Sequence, residues 1–156
     1  MNQEMKGGDK SMDAKAYLEQ ARNLNLQIDS KLEQVCALRQ LATKASSVIS
    51  LVPPSGMTNP HRLEETIVRI IDMEQEVDDA IDELVELKAD IMKAISQVPD
   101  ERERVILELR YLAFKDWSTI AERVGLHIRQ VYRLHEEALK NIEIPEDVTK
   151  CQSNST

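Results

Sequence analysis

The sequence predicts an all-α protein: a long antiparallel helical hairpin followed by a small C-terminal three-helix domain built as a helix-turn-helix. Three observations carry that expectation. Aromatic residues make up 3% of the 156-residue chain, Gly and Pro number only four and five, and two long stretches repeat apolar residues at alternating spacings of three and four. Sheets need aromatic and β-branched strands separated by frequent turns, whereas the three-four spacing traces one face of an α-helix.

Residues 1–12 lack periodicity, contain Gly7-Gly8 and are expected to form a disordered lead-in. From Asp13 to about Ile49 there is neither Gly nor Pro, and a stripe runs from Tyr17, Ala21, Leu24 and Ile28 through Lys31, Val35 and Leu38 to Ile49. Leu18, Leu32 and Leu41 widen it beyond a strict coiled-coil seam, and Cys36, beside Val35, is expected to be a buried small hydrophobe. The segment SLVPPSGMTNP (50–60) ends this helix and turns the chain, with Asn59 as a cap and Pro60 as the first residue of the next helix.

A second stripe runs from Thr66, Ile70, Met73 and Val77 to Val98, flanked by Leu63, Ile67, Ile81 and Ile95. Two helices of about 36 residues, roughly 54 Å each, joined by a short loop fold back as an antiparallel hairpin over 13–98. A two-helix hairpin has one interface, so the surplus apolar surface calls for a second copy or for the C-terminal domain as cover. A homodimer is therefore expected. The stripes alone leave open whether the helices pair within one chain or between two.

Pro99-Asp100 opens the segment 99–142. Its first helix, ERERVILELRYLAF, is expected to turn Val105, Ile106, Leu109, Leu112 and Ala113 to one face. Asp116 caps a second helix, WSTIAERV, and a third runs from Ile128 to Ile142 after the turn Val124-Gly125-Leu126. With Trp117 as the first position, Ala121 is the fifth, Gly125 the ninth, Val131 the fifteenth and Leu134 the eighteenth. Those positions match the helix-turn-helix pattern for mechanical reasons. Ala121 is small where the helices cross, Gly125 takes a positive φ in the turn, and Val131 and Leu134 close a core with Ile120 and Val124. The remaining face of the third helix carries His127, Ile128, Arg129, Tyr132, Arg133 and Glu136, which are the candidate DNA-facing residues. Arg129 and Arg133 lie one turn apart and suit guanine edges or phosphates.

The formal net charge of −8 argues at first against nucleic acid. Its distribution reverses that reading. Residues 1–98 hold 11 basic and 17 acidic side chains, residues 99–142 hold 8 of each, and residues 143–156 hold 1 and 3. The acidity belongs to the hairpin, while the run from Arg123 to His135 has three arginines and no acid.

The run DERERVILELRYLAFKDWSTIAERVGLHIRQVYRLHEEALKNI resembles the sigma-70 region 4 type of helix-turn-helix. More narrowly, with AKAYLEQARNLNLQIDSKLEQV and ELVELKADIMKAI, residues 13–142 resemble phage and prophage late-gene regulators of the RinA/ArpU-like type. The resemblance implies sequence-specific double-stranded DNA binding, control of phage genes, and RNA polymerase as a further partner in a bacterial cytoplasm. It places the DNA contacts on Ile128, Arg129, Tyr132 and Arg133. Two residues depart from the sigma pattern: His127 stands where a Ser or Thr usually caps the reading helix, and Ile128 where an Arg is frequent. The chain also lacks room for the promoter-melting domains of a full sigma factor.

Other classes find little support. His61, His127 and His135 are too dispersed for a metal site, Cys36 and Cys151 make no metal cage or disulfide framework, and no catalytic fingerprint is present. The expectation is a non-enzyme with no cofactor and no metal. Trp117 is read as a packing residue, the N-terminus is too polar for a signal peptide, and no apolar run reaches a membrane span. The competing functional reading is a protein-docking module that engages polymerase or another basic partner through the acidic hairpin, without specific DNA readout. Residues 143–156 are read as a disordered tail.

Overall fold

The computed structural model describes residues 10–51 and 60–145, with side chains over 14–47 and 61–145. Most of the expected lead-in, the centre of the 50–60 turn and all but three residues of the expected tail lie outside the described residues. Every regular element among the described residues is helical: α1 (Lys10–Leu51), α2 (Pro60–Ser96), α3 (Glu101–Leu107) running into a π turn (Glu108–Leu112), α4 (Trp117–Val124) and α5 (Ile128–Asn141). The fold is all-α. α1 starts three residues before the expected Asp13, because no helix breaker follows Gly8.

The described residues fall into two compact units, one within 24–84 and the other made of 10–23 together with 85–145. In the first, α1 and α2 run antiparallel. Ile28 and Val35 are buried on one side, Ile70, Val77 and Leu84 on the other. Lys31, the one charged residue in the α1 stripe, is half-buried and its Nζ donates to Glu76 Oε2 at 2.7 Å. Arg39 pairs with Glu74 in the same sense. Several flanking residues depart from expectation. Leu32, Leu41, Ile67 and Ile81 stay exposed, at 46%, 59%, 45% and 39%. Cys36 is exposed too. One helix step is about 100°, so a neighbour of a buried position faces sideways once only two helices share the interface.

In the second unit, Tyr17, Leu18 and Ala21 from the start of α1 are buried, as are Ile91 and Ile95 from the end of α2 and Val98 just beyond it. The side chain of Asp100 caps α3, accepting from Arg102 N at 2.8 Å and Glu103 N at 3.1 Å. Glu103 is buried, and its Oε2 accepts from Asn141 Nδ2 at 2.9 Å, which ties α3 to the end of α5.

The π turn is the main departure within 99–142. Ala113 N donates to Glu108 O at 3.0 Å and Lys115 N to Leu109 O at 2.9 Å, so the last turn is wider than an α-helix. The extra residue rotates the chain beyond it. Ile106, Leu107 and Tyr111 are buried, whereas Val105 and Ala113, expected on the inner face, are exposed. Phe114 closes the turn at φ 54, with the Lys88 ammonium 4.4 Å above its ring.

Gly125 ends α4 at φ 67, and a Cβ added there would meet nothing within 4 Å. Gly125→Ala therefore tests backbone strain alone. Its expected effect is a loss of about 1–2 kcal/mol, read from the urea midpoint at unchanged slope.

Candidate nucleic-acid interface

α3, α4 and α5 enclose a small core in which Ile106, Ile120 and Val131 are fully buried. Leu109, Trp117, Ala121, Val124, Leu126 and Leu134 pack against them. Asp116 sets the start of α4: its Oδ1 accepts from Thr119 N at 2.7 Å, and that bond holds the carboxyl below its ordinary pKa. Gly125, in the left-handed region, lets α4 turn into α5 across Leu126 and His127.

His127 occupies the cap position of α5. Its Nδ1 accepts from Arg129 N at 3.4 Å, while its own N–H donates to Gln130 Oε1 at 3.1 Å. An imidazole thus takes over the role of a capping hydroxyl, and Gln130 reaches back as the second half of a capping box. Sequence reasoning misses Gln130. The available signal is the spacing of cap and Gln at three residues, masked by a His in place of Ser or Thr.

The outward face of α5 can be placed residue by residue. His127, Arg129, Tyr132, Arg133 and Glu136 are exposed, and Ile128 is half-buried. Arg133 Nε lies 4.0 Å from Glu137 Oε1, an open i,i+4 pair worth little in water and easily exchanged for another anion. Tyr132 leans edge-on against Trp117, with ring centroids 5.0 Å apart. Trp117 in turn lies beneath the Arg110 guanidinium, 4.4 Å from the ring centroid. That guanidinium also donates to Lys115 O at 3.1 Å, which stops it from swinging. Trp117 is a packing residue with a cation on its face, and it braces Tyr132 from behind.

In the sequence His135 is only an isolated histidine, yet in the fold it is a structural anchor. It is buried, and its Nε2 lies 2.8 Å from the Tyr111 hydroxyl. Burial, with smaller contributions from Lys15 and Arg110, lowers its pKa to about 4. Burial also raises the Tyr111 pKa, so the phenol keeps its proton. A phenol facing a neutral imidazole is the resulting pair. No local sequence pattern signals it, because the residues are 24 apart and the π turn aims Tyr111 inward.

Acid stability depends on this pair. The folded-state pKa of about 4 lies below the unfolded value near 6.5, so the unfolded chain binds the extra proton between those limits. Stability is full above about pH 6.5, declines as pH falls and levels off below about pH 4, a loss of about 3 kcal/mol. His135→Gln should flatten that part of the stability–pH curve in urea titrations. An unchanged slope would refute the assignment.

Over 62 residues, 40% of its length, the chain is 40% identical to the RNA polymerase sigma-F factor of Bacillus subtilis. The match covers 24% of that protein, so the chain spans about a quarter of the relative's length. No family model and no solved structure matches the chain. A 62-residue stretch of the chain is thus similar to part of a sigma factor. Among the described residues no helix is long and apolar enough to cross a membrane.

Proposed function

We propose that the protein is a sequence-specific DNA-binding transcription regulator that reads the major groove with α5 and acts as a homodimer on phage or prophage genes in a bacterial host. The observation that carries the DNA-binding reading is the joint exposure of Arg129, Tyr132 and Arg133 on one face of a helix capped and fixed by α4 and α3. Similarity to part of a sigma factor supports a role in transcription, with double-stranded DNA and RNA polymerase as partners. The phage assignment rests on the resemblance of residues 13–142.

The roles are set by chemistry. Arg129 and Arg133 offer forked donors to guanine N7 and O6 or to phosphates. Tyr132, braced by Trp117, presents a ring to a thymine methyl or a hydroxyl to a phosphate. The His127 and Gln130 side chains hold the first turn of α5, and Ile128 and Glu136 border the face. The reading is non-enzymatic and invokes neither metal nor cofactor.

Fluorescence anisotropy on duplex DNA tests it. Affinity should fall with rising salt, since phosphate neutralisation releases counterions, and a salt-independent signal would contradict backbone contact.

The second reading, a polymerase-docking surface on the hairpin, is favoured by one observation. Residues 60–84 carry nine acidic and two basic side chains. It coexists with DNA binding, because the two surfaces use different residues.

A further inference from the structure

The unit 24–84 contains a second, largely exposed seam beside the one that its own two helices bury. Along α2, Ile67, Ile71, Glu74, Asp78 and Ile81 repeat at spacings of four and three, one step around the helix from the buried Ile70 and Val77. Ile71 keeps 58% of its surface and Ile67 45%. On α1 the corresponding flank carries Leu32 and Cys36, both exposed. Leu32, Val35, Cys36, Arg39, Glu74, Val77 and Asp78 line an open groove of 430 Å³ at the middle of this face.

Size and charge identify the occupant. A hairpin face about 40 Å long and two helix diameters wide offers about 800 Å², which is what each partner of a stable dimer contributes. Within the unit, α1 over 24–51 has three basic and two acidic side chains, whereas α2 over 60–84 has two basic and nine acidic. A two-fold axis through the groove lays α1 of one copy on α2 of the other. That arrangement brings the more basic α1 of one copy to the acidic α2 of the other and keeps the two acidic helices apart.

We propose that this face is a self-association surface, seating α1 of one copy against α2 of a second in an antiparallel four-helix bundle with Cys36 near the two-fold axis. The proposal deepens the dimeric reading above and rests on it. The apolar floor of the groove receives side chains of the second copy, and the Arg39–Glu74 pair forms its rim. The second copy completes the bundle that one hairpin only half builds.

Sedimentation equilibrium of the full chain tests it. The wild-type chain should be a dimer at micromolar concentration. Ile71→Asp with Ile81→Asp, each present twice in the dimer, should raise the dissociation constant about 100-fold or more while the far-ultraviolet dichroism stays helical. In a Cys151→Ser background, a short bis-maleimide should link two chains through Cys36, and Cys36→Ala should abolish the link. Should the aspartate pair unfold the hairpin, this cross-link decides alone. A monomeric wild-type chain, a dimer indifferent to both aspartates, or a dimer that Cys36 fails to link overturns the proposal. The DNA reading fails separately: Arg129→Ala with Arg133→Ala should lose DNA yet remain dimeric, and the aspartate variant should still bind an isolated half-site.

Discussion

Replacing Arg129 and Arg133 by alanine should lower affinity for a specific duplex about 100-fold or more, since each forked contact to a base is worth about 1–3 kcal/mol. Anisotropy titrations at near-physiological salt read the change. The fold should survive, because both side chains are exposed on α5 and neither enters the core of Ile106, Ile120 and Val131. Arg133 gives up its open contact with Glu137, a loss of little effect in water. Arg102→Ala, an exposed arginine on α3, serves as the control for bulk charge and should leave affinity within a few-fold. Equal loss in control and double variant would mean that net charge, and not the α5 face, drives binding.

The second large effect concerns the platform beneath that face. Ile106→Ala should destabilise the protein by about 2–5 kcal/mol, because a fully buried side chain at the junction of α3, α4 and α5 leaves a cavity that the small core cannot fill. Against a typical total stability of about 5–15 kcal/mol, that is a large fraction. Trp117 is the sole tryptophan and packs on this cluster, so its fluorescence reports unfolding of the α3–α5 module directly. Val105→Ala, one residue earlier but exposed, should change the urea midpoint little. Reversal of those two results would show that α3 does not turn Ile106 inward and Val105 outward as described.

The contrast between Ile106 and Val105 marks where sequence reasoning reaches and where it stops. Periodicity locates both long helices, and Pro60 and Asp116 mark element starts, because these signals are local. Gly125 is legible for the same reason: a positive φ in a short turn singles out glycine. The π turn is not legible, since one extra residue in a helical turn leaves no mark on composition. It turns Tyr111 inward and leaves Ala113, just beyond it, exposed. The exposure of Cys36, Leu32 and Ile81 is likewise hidden, because a stripe records how much apolar surface exists and not how many helices share it. His135 is the clearest case: only the fold brings Tyr111 to it.

The same limit explains the net charge of −8. A strongly acidic hairpin makes weak nonspecific affinity for DNA the expectation, so useful binding must come from specific contacts on α5, from two half-sites held by one dimer, or from polymerase.

Selection of bound duplexes from a random-sequence library at near-physiological salt tests DNA reading by α5 most directly. A defined motif should be enriched as an inverted repeat, and Arg129→Ala or Arg133→Ala should relax the preference at particular base pairs within each half. A library that shows no enrichment, or a motif indifferent to both arginines, would contradict it.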